Sequence, residues 1–437
     1  NTDEAYGGSS GFQVGSTFKP FTLAQWLNSG HSVREVVNAN GRTVQYQSFK
    51  AKCMDGGVYG YGSFPLQNDA GRQHGNQPVL NVLAQSINGG IVSMQQKMDL
   101  CDTFDLVDAL GVHRASPQKD ASLPNYGTTQ ISRIPSNVYG GTDEIAPITM
   151  ASAYAAFAGG GTVCTPVPID SITGPDGEEV PFTKSKCKSA LSPEVAAGVA
   201  YTLEYTVNNG LARHARSNIG IPHLAKTGTT DNVVDNWTVG ASSKVATATW
   251  VGNVTGKVST MDFGGWTGLM IADQTIWPAM MNVADAKYGG DAFPQPSANA
   301  LKQTMTTVPD VRGKSYDEAA QLLTAAGFTV TDGGQEDSSV AEGLVSGTNP
   351  EGGSSVPAGS GITIYRSTGS MSTVPDVTGQ SLVAAAQTLN GQGFSNIAGQ
   401  CESGSGSPGS SHKVVKMNPA AGTETKRSSQ VTLTFNC

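Results

Sequence analysis

The 437-residue sequence predicts an α+β chain. An antiparallel sheet flanked by helices is expected in residues 1–300, followed by two small α/β modules at residues 306–367 and 372–437. Two observations carry this. Between Ile219 and Gly252, segments rich in β-branched and aromatic residues follow one another with short polar breaks, as successive antiparallel strands do. The segment Val308–Ser315 then recurs as Val374–Ser381, the mark of a duplicated unit.

The elements follow in chain order. Thr22 to Leu27 is an apolar helical run ending at Asn28-Ser29-Gly30. Pro20 lacks an N–H and is tolerated only in a first turn, so this helix begins near Gly15 or Ser16. Pro78 to Gln85 reads as a second helix that stops at Ser86-Ile87-Asn88-Gly89-Gly90, and another apolar run restarts from Ile91 to Met98. Ile145 to Gly159 is the most apolar stretch and reads as a core helix. Tyr201 to Val207 is a further helix. Ile219 to Lys226, Trp237 to Ser242 and Val245 to Gly252 are the three strands. In each repeat a short helix follows the opening segment. The first has Ala319, Leu322 and Leu323 before Gly327-Phe328, and the second has Ala385 and Leu389 before Gly393-Phe394. Ser315 and Glu318 form a capping box at the first of these helices. Asn349-Pro350 and Asn418-Pro419 precede a final alternating strand in each copy.

Composition bounds the function. Charged residues make up 14% of the chain, against the usual quarter, so Ser, Thr, Asn, Gln and Gly must cover much of the surface, which fits an extracytoplasmic protein. The net charge of −8 argues against nucleic-acid binding. There is no run of 18 apolar residues and no visible signal peptide. No clustered His and Glu ligands suggest a metal, and no cofactor motif is present. None of the six cysteines lies in a Cys-x-x-Cys pair. Cys401 and Cys437 are alone in the second repeat. The expected pairs are Cys401–Cys437, Cys164–Cys187 and Cys53–Cys101, which would fit an oxidising compartment; the alternative is reduced, buried thiols.

Three motifs carry chemistry. Ser-x-x-Lys occurs at Ser16, Ser116, Ser185 and Ser410, Ser-x-Asn at Ser86 and Ser297, and Lys-Thr-Gly once, at Lys226. Only Ser16, Ser86 and Lys226 give the order Ser-x-x-Lys, Ser-x-Asn, Lys-Thr-Gly. Ser16 falls at the positive end of the helix dipole, and Lys19 lies one turn on along the same face. A serine becomes a nucleophile when a neighbouring base takes its proton, and Lys19 does so only when neutral. Burial and a second cation, for which Lys226 is the candidate, would lower its pKa. Ser86 is placed to pass a proton between Lys19 and a leaving group, and Asn88 to fix Lys19 or a substrate amide. Lys226, Thr227 and Thr229 can bind a carboxylate at the strand end. Gly228 removes a side chain that would block a substrate lying along that strand. Taken singly, each motif has an ordinary reading as a helix cap, a turn residue or an exposed strand end.

Taken together, the series resembles that of the serine penicillin-recognising enzymes. Gly15 to Phe21, Lys226 to Thr230 with Asp235-Asn236-Trp237 and Trp250-Val251-Gly252, and Glu144 to Thr162 are similar to the corresponding segments of class A penicillin-binding proteins. The duplicated unit resembles the PASTA domain, found in penicillin-binding proteins and in bacterial serine/threonine kinases. The resemblance implies a DD-transpeptidase in which Ser16 attacks a D-Ala-D-Ala stem peptide of peptidoglycan. Lys19 would then be the base, Ser86 and Asn88 would assist, and Lys226, Thr227 and Thr229 would hold the terminal carboxylate. The Ser16 and Thr229 amides would form the oxyanion hole, and β-lactam antibiotics would acylate the same serine. It implies the outer face of a bacterial membrane, and other cell-wall synthesis proteins as partners. Class A members carry a glycosyltransferase domain and a membrane anchor upstream, so this chain is expected to be a fragment. The PASTA copies would bind peptidoglycan fragments or act as a spacer. The rivals are a DD-carboxypeptidase, a catalytically weak cell-wall scaffold, and a β-lactamase. The last would need a deacylating base, and the Glu204-x-x-x-Asn208 pair is read instead as part of a surface helix.

Overall fold

A computed structural model describes residues 9–437 apart from 124, 255, 264, 405, 407, 408, 410 and 411. The chain divides into two compact units, Asn1–Thr304 and Met305–Cys437.

The first unit is built on three antiparallel strands, Leu224–Thr229, Asp235–Ala241 and Ala246–Gly252, with Asp235–Ala241 in the centre. All seven residues of the central strand are buried, because helices cover both faces. Trp237, Val239 and Ala241 join the main core, which includes Phe21 and Trp26 of helix α1 (Lys19–Asn28). On the opposite face, Gly240 leaves room for Trp277: a Cβ there would lie 2.7 Å from that indole. Ala225 joins Trp277 and Met281 in a separate cluster. The other helices of this unit are α2 (Val79–Ala84), α3 (Asn88–Gln95), α4 (Leu100–Ala109), α5 (Pro147–Ala158), α6 (Pro193–Asn209), α7 (Trp266–Ile271) and α8 (Trp277–Tyr288). Asp99 caps α4 by accepting from the Cys101 amide (2.9 Å), and Ser192 caps α6 by accepting from Val195 (3.2 Å), each satisfying an otherwise orphaned N–H.

The first strand starts later than its sequence pattern suggests. Gly220 has φ +82° and Pro222 offers no N–H, so residues 218–223 stay irregular and pairing begins at Leu224. Lys226 therefore lies inside the strand, opposite Val239, and not at its end.

In the second unit the two repeats have the same order of elements. The first packs helix α9 (Tyr316–Ala325) on strands Thr329–Glu336, Gly361–Ser367 and Val345–Asn349; the second packs α10 (Leu382–Gly391) on Ile397–Cys401, Val431–Phe435 and Val414–Asn418. In each, the last strand is central, parallel to the first and antiparallel to the second. The cores correspond pair by pair: Val308 with Val374, Val311 with Val377, Ala319 with Ala385, Leu323 with Leu389 and Phe328 with Phe394. Leu322 is 41% exposed and belongs to the outer face of α9. The capping box is half formed. Ser315 accepts from the Glu318 amide, while the Glu318 carboxylate takes Lys314 Nζ (2.6 Å). Within this unit the repeats are joined by a Lys426–Asp337 ion pair and by the Met371 amide donating to the Ser338 carbonyl.

The disulfides join Cys53 to Cys101, Cys164 to Cys187 and Cys401 to Cys437, the three expected pairs. No helix of the described residues is long and apolar enough to cross a membrane. Among the described residues, no group of His, Cys, Asp or Glu is placed to hold a metal ion.

Candidate active site

Ser16 lies in a 3-10 turn, Gly15–Phe18, that runs directly into α1 with Pro20 in its first turn. Gly15 has φ +52°, a left-handed conformation that costs glycine nothing. A Cβ there would also lie 2.6 Å from the Thr229 carbonyl oxygen, so the nucleophile turn sits directly against the end of the Lys226 strand. Lys19 opens α1 and is wholly buried. Its Nζ contacts the Ser86 carbonyl (2.6 Å), Asn88 Oδ1 (2.6 Å) and Ser86 Oγ (3.1 Å). Ser86 occupies the break between α2 and α3 with φ +56°, a strained value for a residue with a Cβ. Asn88 is the first residue of α3 and not a loop residue; its Nδ2 donates to the Gln67 carbonyl (2.9 Å). Lys226 is also buried, and its Nζ donates to Ser86 Oγ (2.9 Å) and to the Thr227 carbonyl (3.0 Å). One hydroxyl thus bridges two buried amines carried by distant parts of the chain.

The electrostatics follow from that burial. Desolvation is the main cause that holds the Lys19 pKa well below the ordinary lysine value; the Lys226 charge lowers it further, against a smaller opposing pull from Asp69. Lys226 is lowered to about 7 by desolvation, opposed by the Asp273 carboxylate. With Lys19 neutral, its two N–H groups go to the Ser86 carbonyl and Asn88 Oδ1, and its lone pair is left to accept a hydroxyl proton. With Lys226 charged, two of its three N–H groups are taken within the protein and one is left for a ligand.

Thr227 is half-buried and Thr229 exposed, both at the strand's open end. At Gly228 a Cβ would lie 2.7 Å from the Val14 carbonyl oxygen and 2.9 Å from Thr17 Cγ2, so the glycine admits the turn that bears Ser16. The remaining Ser-x-x-Lys and Ser-x-Asn matches lie elsewhere. Ser116 is buried, and its hydroxyl donates to the Ser10 carbonyl. Ser185 is exposed and bonds the Thr165 carbonyl. Ser297 accepts from the Ala300 amide. Ser410 lies outside the described residues. Glu204 is a half-buried residue of α6 whose carboxyl is raised by desolvation.

Several residues that hold the site stand in no motif. Tyr154 of α5, fully buried, donates its hydroxyl to the Thr17 carbonyl (2.7 Å). Trp237 Nε1 donates to the Gln13 carbonyl (2.8 Å), and Thr22 Oγ1 to the Val138 carbonyl (2.6 Å). Gly140, with φ +108°, lies so close to Gly15 that a Cβ would sit 1.8 Å from the Gly15 carbonyl oxygen. Asn68 accepts from the Gly89 amide and donates to the Ala39 and Arg72 carbonyls, fixing the loop beside Asn88. Tyr154 and Trp237 fall within segments that carry the resemblance, and Gly140-Gly141 is a turn mark without a partner in sequence.

Comparison with known proteins bears on this arrangement. A family model of the penicillin binding protein transpeptidase domain matches residues 7–301. The PASTA domain matches twice, at 306–368 and 372–436. Penicillin-binding protein 1A of Aquifex aeolicus (strain VF5) is 27% identical over 290 residues, covering 66% of this chain and 35% of the relative. The serine/threonine-protein kinase PrkC of Bacillus subtilis (strain 168) is 37% identical over 120 residues, 27% of this chain and 18% of the kinase. The chain thus spans about a third, or less, of the length of these curated relatives. The solved structure of the PonA1 protein from Mycobacterium tuberculosis in complex with penicillin V aligns with a TM-score of 0.53 and 24% identity, over 66% of this chain and 73% of that one. At that identity the likeness is one of fold.

Proposed function

Because the chain belongs to the penicillin-binding protein transpeptidase family, we propose that it is a serine-type D-Ala-D-Ala transpeptidase that crosslinks peptidoglycan stem peptides outside the cell membrane. The observation that carries this reading is the bridge of Ser86 Oγ between two buried lysines, Lys19 at 3.1 Å and Lys226 at 2.9 Å, behind the turn that bears Ser16.

In this reading neutral Lys19 takes the Ser16 proton as Oγ bonds to the carbonyl carbon of the penultimate D-Ala. The developing oxyanion is received by the Ser16 and Thr229 amides. The C–N bond to the terminal D-Ala breaks, and its nitrogen receives the proton from Lys19 through Ser86. The terminal carboxylate lies on Lys226, using its remaining N–H, with Thr227 and Thr229. An acceptor amine then attacks the ester and gives up a proton by the same route, and Ser16 leaves with its hydroxyl restored. A β-lactam opened by Ser16 has no departing fragment, so the enzyme would retain the whole drug. Repeats joined by the Lys426–Asp337 ion pair suit an arm of fixed length.

Intact-mass spectrometry with benzylpenicillin tests the reading. The expected result is one adduct of the whole drug, absent in Ser16→Ala. No adduct with intact drug would overturn the proposal. No adduct with destroyed drug would mark a hydrolase and return Glu204 to consideration.

A further inference from the structure

Arg114 and Asp143 form a buried ion pair, 6% and 3% exposed, that no motif contains. Asp143 Oδ1 accepts from Arg114 Nη1 and from Ser132 Oγ (3.0 Å), and its Oδ2 accepts from the Ser132 amide (2.6 Å) and Asn137 Nδ2 (2.7 Å). A buried pair adds little net stability over apolar residues of the same size, because both charges give up their hydration. What this pair does fix is a loop. Asn137 Nδ2 also donates to the Ser132 carbonyl (2.7 Å), and Asn137 Oδ1 accepts from the Thr142 amide (2.9 Å). Residues 137–143 are thereby closed around one amide side chain that hangs on Asp143. The same loop meets the turn that bears Ser16. A Cβ on Gly140 would lie 1.8 Å from the Gly15 carbonyl oxygen, and the Gly141 carbonyl accepts from Gln13 Nε2. Beyond the loop, Glu144-Ile145 pairs with Phe12-Gln13, the strand that leads into Ser16. The Ala115 amide, next to Arg114, donates to the Glu144 carbonyl (3.0 Å) and ties the other partner to the same strand pair. Contacts thus run unbroken from the ion pair to the residue before Ser16.

We infer that Arg114 and Asp143 are positioning residues, a buried pair that sets, through Asn137 and the 137–143 loop, where the Ser16 hydroxyl stands relative to Lys19. This rests on the proposed reading of Ser16 as the nucleophile. Neither residue has a hydrogen bond to Lys19, Ser86 or Lys226 among the described residues; the bonds of those three are made with one another, Asn88 and the strand carbonyl at Thr227. The pair therefore acts on the placing of the attacking oxygen and not on the proton route or the carboxylate clamp. Its loss should slow the formation of the acyl bond and leave the first capture of a β-lactam intact, because capture depends on the Lys226 strand and acylation on the distance from Ser16 to the carbonyl carbon.

The test uses the double variant Arg114→Met/Asp143→Leu. Removing both charges together avoids leaving one of them buried and unpaired, so the chain should still fold. Stopped-flow measurement with a fluorescent penicillin separates the dissociation constant of the first complex from the rate constant of acylation. The expected result is a rate constant about 100-fold lower, the loss that a misplacement on the order of 1 Å produces, with the dissociation constant unchanged. Hydrogen exchange in residues 12–18 should quicken while that of α6 stays as it is. Asn137→Ala, which leaves the ion pair whole and cuts its link to the loop, should give the same split, and it serves if the double variant does not fold. Lys244→Gln, which breaks an exposed pair with Asp291 (2.7 Å), is the control and should keep the wild-type rate. A wild-type rate constant in a folded variant overturns the inference, and so does a loss confined to the dissociation constant. If the wild type itself is not acylated, exchange decides. Quicker exchange at 12–18 in the variant would then sustain the positioning and reject the reading of Ser16, and unchanged exchange would overturn the inference.

Discussion

Gly140→Ala is the sharpest test of how the site is held. The Cβ it adds would lie 1.8 Å from the Gly15 carbonyl oxygen and 2.1 Å from its carbon, where real contacts stay above 3.0 Å. Going from 1.8 Å to 3.0 Å requires a shift of about 1.2 Å. Both sides are backbone, and both are fixed. The Pro135–Tyr139 turn before Gly140 is held by Thr22 at the Val138 carbonyl, and by Asn137, which donates to Asp143 Oδ2. The nucleophile turn is held by Tyr154 and Trp237. The φ of +108° adds strain of about 1–3 kcal/mol for any residue with a Cβ. A misplacement on the order of 1 Å at a catalytic group costs about 100-fold in rate, or about 2.7 kcal/mol. The prediction is therefore a roughly 100-fold or greater loss in the second-order rate of acylation by a fluorescent penicillin, together with a lower melting temperature. Gly160→Ala is the control. Gly160 also has a left-handed φ, +67°, but a Cβ there would meet nothing within 4 Å, so it should lose some stability and no acylation rate. Acylation of Gly140→Ala at the wild-type rate would refute the argument that this contact sets the position of Ser16.

Two further outcomes follow from buried groups. Tyr154→Phe removes the hydroxyl that satisfies the Thr17 carbonyl (2.7 Å), and the expected cost is about 1–3 kcal/mol of stability by denaturant unfolding, with slower acylation; an unchanged midpoint would mean that another donor replaces it. Folding stability should also rise with pH above neutrality. Folded Lys226 has its pKa lowered to about 7, whereas the unfolded residue keeps the ordinary value of 10.5. The unfolded chain therefore binds more protons between those values, and stability rises as pH climbs from about 7 toward 10.5, by an amount on the order of 5 kcal/mol. Asp273, raised from 3.8 to about 6, acts in the opposite sense in its own window, where stability falls as pH rises. Unfolding at pH 7 and pH 9.5 measures this, and Lys226→Met should make the slope shallower without abolishing it, because buried Lys19 is lowered in the same sense; an equal slope in that variant would show that Lys226 is not a source of it.

Much of this was legible in the sequence because the signals are local. Pro20 places the start of α1, β-branched runs mark the sheet, and the repeat offset gives two equivalent modules whose core residues coincide. The ordered motifs also brought together residues that the fold does bring together: Lys19, Ser86, Asn88 and Lys226 share one set of hydrogen bonds. What was hidden depends on close approach between distant segments. The packing reason for Gly228 was hidden because the direction of an absent Cβ is set by the register with Asp235–Ala241 and by the turn packed on it, neither of which the tripeptide contains. Gly140 shows only as a turn mark and Tyr154 only as one residue of an apolar helix, since the partner of each is a backbone carbonyl in the distant Ser16 turn.

The same residues explain why a chain so poor in charge can bury two amines side by side. Each amine is hydrogen-bonded, and the groups that receive it are fixed before any substrate arrives: a strained Ser86 between two helices, Asn88 at the start of α3, and a strand carbonyl at Thr227. The turn that carries Ser16 is held from behind by a tyrosine, a tryptophan and two glycines that admit close backbone contact. Rigid acceptors cannot rotate to follow a charge, so in the proposed reaction moving a proton among Lys19, Ser86 and a substrate would require little reorganisation of the protein. The burial that disfavours the charged form of both lysines is therefore the same feature that would let Lys19 serve as the base in the proposed reaction.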